Sequence, residues 1–377
     1  MNTLTTPTAE YQLARFPRRK NDLLRAWDAA DEYALSHLHE QSLLTQDVSI
    51  LILNDSFGAL SVALADHGPT MMSDSHLAQQ GTLANLKENG RSEEDVRLLT
   101  SLEKPSGTFD VIVIKVPKIL AYLEDQLHRI RPCLRTDTVI LGAGMAKGIH
   151  TSTLKLFERI LGPNKTSLAK KKARLIHCEP NLELSPGDSP YPTSYKLEGT
   201  DHQTTNHANV FSREKLDVGT RLLLASLETS DVPGRIVDLG CGNGVVGLKA
   251  AIQYPDAEVF FVDESFMAVA SAETTVRAAL GDRAKAQFRT MDCLAAIPAR
   301  SIDLVLVNPP YHQERGVDDA VAWQMLRESK DVLAQGGELR MVGNRHLGYH
   351  VKLERVFGNC SVVGDSSKFV VLKAVKR

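Results

Sequence analysis

Residues 235–247 read R-I-V-D-L-G-C-G-N-G-V-V-G, and this junction restricts the possible folds more than any other stretch of the chain. A short β-branched run spaced as a buried strand meets Gly240, Gly242 and Gly244, after which helical spacing begins. The chain must therefore turn sharply from strand to helix, through backbone conformations that glycine tolerates. The amino terminus of the new helix offers N–H groups to whatever lies against the turn. Gly242, Gly244 and Gly247 also spell the G-x-G-x-x-G of dinucleotide-binding dehydrogenases. Asp238 speaks against that reading, because a carboxylate just ahead of the loop repels a pyrophosphate. It suits a ligand that carries an ammonium, such as S-adenosylmethionine.

Two more short β-branched runs, 258–262 and 302–307, alternate with helix-like segments, as expected of a doubly wound α/β domain. The first of them runs into Asp263 and Glu264, where an acid can accept hydrogen bonds from ribose hydroxyls. Asp263 could instead cap the helix starting near Ser265. A third strand, 286–290, precedes Asp292 and Cys293, which offer a carboxylate and a backbone N–H to an adenine edge. Helix capping is the competing role for Asp292.

The stretch 301–311, SIDLVLVNPPY, carries the reaction chemistry. Its apolar strand runs straight into Asn308, Pro309, Pro310 and Tyr311, and two consecutive prolines fix a rigid extended turn at the strand's carboxyl edge. Ligands bind at that edge in α/β sheets. There the Asn308 amide oxygen and the Pro309 carbonyl can accept the two hydrogens of a planar amino group, and Tyr311 can stack on it. This is an arrangement for methylating an exocyclic nitrogen, which needs no metal because a methyl sulfonium already supplies the leaving group. The same turn would serve a guanine or adenine amine or a protein glutamine amide.

The first half follows the same plan. ILILNDSFGALSVAL (50–64) parallels RIVDLGCGNGVVGLKA (235–250), and DVIVIKVPK (110–118) parallels DLVLVNPPY (303–311). Strands are expected over 48–53, 111–116 and 138–141, and helices over 58–65 and 75–89. The first glycine loop keeps only Gly58, and Lys115 stands where Asn308 does, so this copy is expected to have lost its chemistry. The segment 178–195, CEPNLELSPGDSPYPTSY, has the proline-rich polar composition of a linker, which places a boundary between domains 1–190 and 191–377.

Composition narrows the surroundings. The chain is 43% hydrophobic and 24% charged, its amino terminus is polar then basic, and no apolar run suffices to span a membrane, so a cytoplasmic location is expected. The 5 cysteines are scattered and form no C-x-x-C pair, so neither a disulfide framework nor a zinc site is suggested. A net charge of −2 advertises no strongly basic surface, and any polyanion contact must be local. Arg15, Arg18, Arg19 and Lys20 form one basic cluster and Lys170, Lys171, Lys172 and Arg174 another, either a phosphate-binding patch or an ordinary solvated face. His312, beside the prolines, reads as a surface or packing residue.

With these motifs in hand, the chain resembles the ribosomal RNA guanine-N2 methyltransferases. NHANVFSREKLDVGTRLLL (206–224), VDLGCGNGVVGL and NPPYHQ look like that family's catalytic half. LILNDSFGALS, AWDAADEY, KLEGTD and the ending NRHLGYHVKLERVFGNC extend the likeness across the chain and bring it nearer the large-subunit type than the small-subunit one. The resemblance implies two tandem Rossmann-like class I methyltransferase domains, the first degenerate and serving as an RNA platform, acting as a monomer on one guanine of 23S ribosomal RNA. It further implies that Asp238, Gly240, Cys241, Gly242, Asn243, Gly244, Asp263, Glu264, Asp292, Cys293 and Asn308 hold S-adenosylmethionine, with Phe211, Ser212, Asp217 and Thr220 closing over it. Lys115 and Lys147, at strand ends of the first copy, are expected to grip RNA phosphates.

Overall fold

The computed structural model describes residues 2–18, 24–229, 231–281, 284–310 and 315–377. Contacts divide the chain into two compact units, Met1–Tyr191 and Pro192–Arg377.

The first unit begins with an antiparallel ribbon of β1 (Thr3–Thr5) and β2 (Glu10–Gln12). It continues through α1 (Ala29–Glu40), β3 (Ile50–Leu53), α2 (Ala59–Ala63), β4 (Thr70–Ser73), α3 (His76–Glu88), β5 (Arg97–Thr100) and β6 (Val111–Lys115). Then come α4 (Leu120–Ile130), β7 (Val139–Met145), α5 (Thr151–Ile160), β8 (Asn164–Thr166) and β9 (Ala173–Cys178). The second unit contains α6 (Val218–Leu224), β10 (Arg235–Leu239), α7 (Val245–Gln253), β11 (Glu258–Asp263), α8 (Phe266–Leu280), β12 (Ala286–Thr290) and β13 (Ile302–Val307). It ends with α9 (Arg315–Val332), β14 (Leu333–Asn344), α10 (Tyr349–Phe357), β15 (Ser361–Asp365) and β16 (Phe369–Val375).

The two main sheets have one design. Their strand orders, β5-β4-β3-β6-β7-β9-β8 and β12-β11-β10-β13-β14-β16-β15, correspond element for element. Both are mixed rather than wholly parallel: β9 pairs antiparallel with β7 and β8, and β16 does so with β14 and β15. The link between β15 and β16 is too short for a crossover, so only antiparallel pairing is open to them. The inner strands are covered on both faces, which explains their continuous apolar runs: all four residues of β3 are buried, as are Val111–Ile114 of β6.

Strand parity decides where a functional side chain can point. In β13, Val305 and Val307 join Leu326 and Leu353 on the face covered by α9 and α10, whereas Leu304 and Leu306 join Leu223 and Val246 on the face of α6 and α7. Asn308, next in the alternation, therefore falls on the α6 side. Lys115 follows Val111 and Val113, which pack with Ala34 and Leu38 of α1.

Two glycines illustrate which part of the loop both copies needed. Gly58 (φ 81°) precedes α2 and Gly244 (φ 79°) precedes α7, and a Cβ on either would lie 2.8 Å from a backbone Cα, that of Thr82 in α3 or Ala272 in α8. The first copy thus retains the glycine that lets two helices touch. A Cβ at Gly247 would sit 2.2 Å from the Phe261 ring, which is itself stacked on Phe288. Gly247→Ala should therefore destabilise the second unit by about 1–3 kcal/mol, the usual cost of overpacking a filled core. Urea denaturation of the variant measures this, and an unchanged midpoint would show that α7 can move away from β11 freely.

Candidate active site

The carboxyl edge of the second sheet gathers most of the sequence-predicted residues. Gly240, Gly242 and Gly244 all have positive φ, and a Cβ at Gly242 would meet nothing within 4 Å, so this side of the loop is open. Gly240 and Cys241 both donate their N–H to Val262 O, and Gly242 donates to the Asp263 carboxylate at 3.1 Å. Asp263 also accepts from Ser265 N at 3.0 Å. It does not cap α8; that role belongs to Ser265, whose hydroxyl accepts from Ala268 N. The two carboxylate oxygens of Asp263 thus each accept a main-chain N–H, which fixes the carboxylate at the end of the strand.

Asp238 is buried, 3% exposed, and accepts the Gly247 N–H at 2.8 Å. Burial pushes its carboxyl up to about 8; the Gly247 N–H opposes the rise and the Asp263 carboxylate adds to it. The same environment, burial first, pushes the Cys241 thiol well up, so Cys241 is an inert core thiol.

A strap ahead of α6 holds this loop in place. Asn243 donates to Asn206 Oδ1 at 2.8 Å and to Tyr195 OH at 3.1 Å, while Thr205 N and His207 N bond Thr275 and Ser271 of α8. The Asn243 side-chain nitrogen thus anchors the strap to the glycine loop. Tyr195 and Asn206 escaped the sequence reading, because only the fold brings them to the loop. Farther along the strap Phe211 stands 52% exposed and Ser212 adopts φ 54°. Asp292 accepts from Gln324 of α9 at 3.0 Å and no described helix begins at it, so it anchors a turn rather than capping. Cys293 follows it with φ 41°, and Glu264 follows Asp263 directly.

At the end of β13, Pro309 is buried and Pro310 exposed; Tyr311 and His312 lie outside the described residues. The Asn308 amide nitrogen donates to Thr220 Oγ1 at 2.9 Å. Thr220, 5% exposed, receives Asp217 as a partner twice: its N–H donates to Asp217 Oδ2 at 2.8 Å and its hydroxyl to the same oxygen at 3.4 Å. Asp217 is the N-cap of α6. Asn308 Oδ1 is buried and, among the described residues, has no hydrogen-bond partner. An acceptor left in this way costs stability unless something else supplies the donor.

The first unit shows what becomes of the same positions without the chemistry. Strand register sets Leu53 beside Ile114 as it sets Leu239 beside Val307, so Lys115 occupies the place of Asn308. Counting back from Gly58 and Gly244, Asn54 (φ 65°) replaces Gly240 (φ 74°) and Asp55 replaces Cys241. Ser73 stands for Asp263. Asp55 folds inward and accepts from Ala59 N and from both the N–H and hydroxyl of Ser61. Lys115 does not reach solvent phosphate: its side chain is 12% exposed and its ammonium pairs with Asp28 at 2.9 Å and Asp31 at 2.6 Å. The expectation of an RNA contact there is therefore corrected. In the mid-chain cluster, Lys171 pairs with Glu32 and Lys170 with Glu40, while Lys172, Arg174 and Lys147 are exposed.

Among the described residues no helix is long and apolar enough to cross a membrane, and no group of three or more His, Cys, Asp or Glu is placed to hold a metal ion. Residues 1–182 match the family described as the RLMG N-terminal domain and residues 201–373 the methyltransferase small domain. The chain is 50% identical to the ribosomal RNA large subunit methyltransferase G of Streptomyces griseus, with 100% of both chains covered. It is 48% identical to the protein of the same name from Aeromonas salmonicida, covering 99% of each. Among solved structures, the Thermus thermophilus 16S rRNA N2 G1207 methyltransferase, in complex with AdoMet and guanosine, superposes with a TM-score of 0.77 at 23% identity, over 100% of this chain and 97% of that one, a likeness of fold across both units. By full-length identity and by both of its domains, the chain belongs to the ribosomal RNA large subunit methyltransferase G family.

Proposed function

We propose that the second unit transfers a methyl group from S-adenosylmethionine to the exocyclic N2 of a guanine in 23S ribosomal RNA. The observation that carries this reading is Asn308 Oδ1, a buried acceptor with no partner among the described residues, held at the carboxyl edge of the sheet beside Pro309. A planar amine is the donor it lacks. Accepting one N–H turns the nitrogen lone pair away from the ring system and toward the methyl group, and the proton leaves as the new bond forms.

The residues present fit the cofactor. Asp263 brings a carboxylate to the strand end where ribose hydroxyls would lie, Gly242 leaves open space against the loop, and Asp238 supplies a buried acid for an ammonium. When bound, S-adenosylmethionine supplies an activated methyl and its own leaving group. The protein's part is positioning and preorganised polarity. A guanine N2 faces the minor groove of paired RNA, so the base must be unpaired or flipped out to reach Asn308. The half-exposed Phe211 offers a ring for stacking near the strap, and Lys147, Lys172 and Arg174 of the first unit offer charge to phosphates.

Asp238 gives the cofactor step a pH signature. Its folded pKa of about 8 lies above the ordinary 3.8, so the cofactor-free protein holds more protons than the unfolded chain between those values, and this group's contribution makes stability fall as pH rises across that window. A ligand ammonium favours the ionised carboxylate. Binding should therefore release up to one proton and tighten from pH 6 to pH 8, a slope that Asp238→Asn removes. Calorimetry in buffers of unequal ionisation enthalpy reads the proton directly, and binding without release would refute the assignment.

Transfer of labelled methyl groups to total RNA against ribosomal protein tests the substrate class. Label in large-subunit RNA as N2-methylguanosine supports the proposal; label confined to protein glutamine overturns it.

A further inference from the structure

An amide side chain is nearly symmetric in shape, so Asn308 can present either oxygen or NH2 to the incoming amine. Only the oxygen helps, since NH2 would set donor against donor. We infer that Asp217 and Thr220 form a positioning relay that fixes the Asn308 amide with its oxygen toward the substrate, an inference that rests on Asn308 receiving the amine.

The asymmetry begins at the carboxylate. Asp217 is acceptor-only when ionised, and it is locked as the N-cap of α6 by the Thr220 N–H at 2.8 Å. The Thr220 hydroxyl has one proton. Its contact with Asp217 Oδ2 is long at 3.4 Å, but the acceptor is a carboxylate and the Thr220 side chain is buried, so the field still turns the proton that way. The hydroxyl oxygen is then an acceptor toward the strand, and of the two ends of Asn308 only the NH2 can bond to it, as it does at 2.9 Å. Flipping the amide would set Oδ1 against a hydroxyl oxygen whose proton is already directed elsewhere. Oδ1, without a partner among the described residues, is the other half of the same arrangement.

The first unit supplies an independent view of the trio. There the N-cap of α1 is Asp28, the third helical residue is Asp31, and the strand end is Lys115. Cap, N3 residue and strand end meet again, now as two carboxylates on one ammonium. The geometry is common to both copies. What differs is that hydroxyl and amide leave one acceptor to spare, whereas the charged trio satisfies itself.

The test compares wild type, Thr220→Val and Thr220→Ser in single-turnover methyl transfer to transcribed large-subunit RNA, with S-adenosylmethionine affinity measured by calorimetry. Valine keeps the shape and the backbone cap. It should lower kcat roughly 10-fold, the worth of one hydrogen bond in orientation, with cofactor affinity altered less than about 2-fold. Serine should recover most of the loss. A valine variant with wild-type kcat overturns the relay, and so does a loss of cofactor affinity that parallels the loss of activity, which would assign the hydroxyl to the cofactor. The second readout needs no RNA. In selectively 15N-asparagine-labelled protein, the Asn308 side-chain protons should show slowed solvent exchange that disappears in Thr220→Val. Identical exchange in both proteins overturns the relay even if the RNA proves to be the wrong substrate, a separate failure that would appear as inactivity of the wild type.

Discussion

Asn308→Ala should reduce kcat for methyl transfer by about 10²- to 10³-fold, equivalent to about 2.7–4 kcal/mol, the effect typical of deleting one preorganised hydrogen-bonding group from a dry active site. Cofactor affinity should change by no more than a few-fold, because the residues proposed to hold the cofactor, Asp238, Asp263 and the glycine loop, do not bond to the Asn308 side chain. Folding should survive as well. Oδ1 has no partner among the described residues, so truncation removes an unsatisfied buried acceptor together with a single bond to Thr220. Stability thus moves little while the rate collapses. Single-turnover transfer alongside urea denaturation separates the two, and a variant that is as active as wild type, or inactive only because it is unfolded, would remove Asn308 from the chemistry.

Lys115→Met should produce the opposite pattern, a loss of stability in the first unit of about 3 kcal/mol with no change in cofactor binding by the second. Breaking a buried ion pair by removing one partner leaves the other charge without compensation. The three groups do not share the pair equally. Burial opposes the Lys115 charge, yet Asp31 and Asp28 together hold its pKa above the ordinary value. Burial would also raise Asp28, but Lys115 holds it below its ordinary value. Asp31 goes the other way: burial lifts it to about 6 despite Lys115, with Asp28 and Asp55 adding to the rise. Asp31 is the deepest of the three and titrates most easily once the lysine is gone, so the loss should be smaller at pH 5.5 than at pH 8. Half of Asp28 is exposed, and it adds little. A fall in the unfolding temperature of about 6–12 °C would correspond to this energy, and adding Asp31→Asn should restore part of it. An unaltered transition would mean that the cluster is solvated despite its burial.

The contrast between these residues shows what a sequence can display. The glycine loop and the strand ending at Asn308 were legible because positive φ, double prolines and strands buried on both faces leave marks on consecutive residues. The duplication was legible for the same reason, and the match of strand orders extends it to the antiparallel edge, where the sequence reading names no strands. Lys115 was misjudged because its charge is visible in the sequence while the acids that neutralise it, Asp28 and Asp31, belong to a distant helix. The anchoring role of Asn243 is hidden from the sequence in the same way, since its partners Tyr195 and Asn206 reach it only through the strap. Thr220 was placed at the site by resemblance, but its hydrogen bond to Asn308 is set by strand parity and the position of α6. Gly58 needed the packed helices to explain why one glycine survived in a loop that lost the others.

The most direct measurement is nucleoside mass spectrometry of large-subunit ribosomal RNA from cells with and without the gene, complemented by wild type or by Asn308→Ala. The expected result is loss of a single N2-methylguanosine on deletion, restored by wild type and not by the variant. An unchanged N2-methylguanosine profile on deletion would contradict the proposed substrate, and restoration by Asn308→Ala would contradict the proposed site.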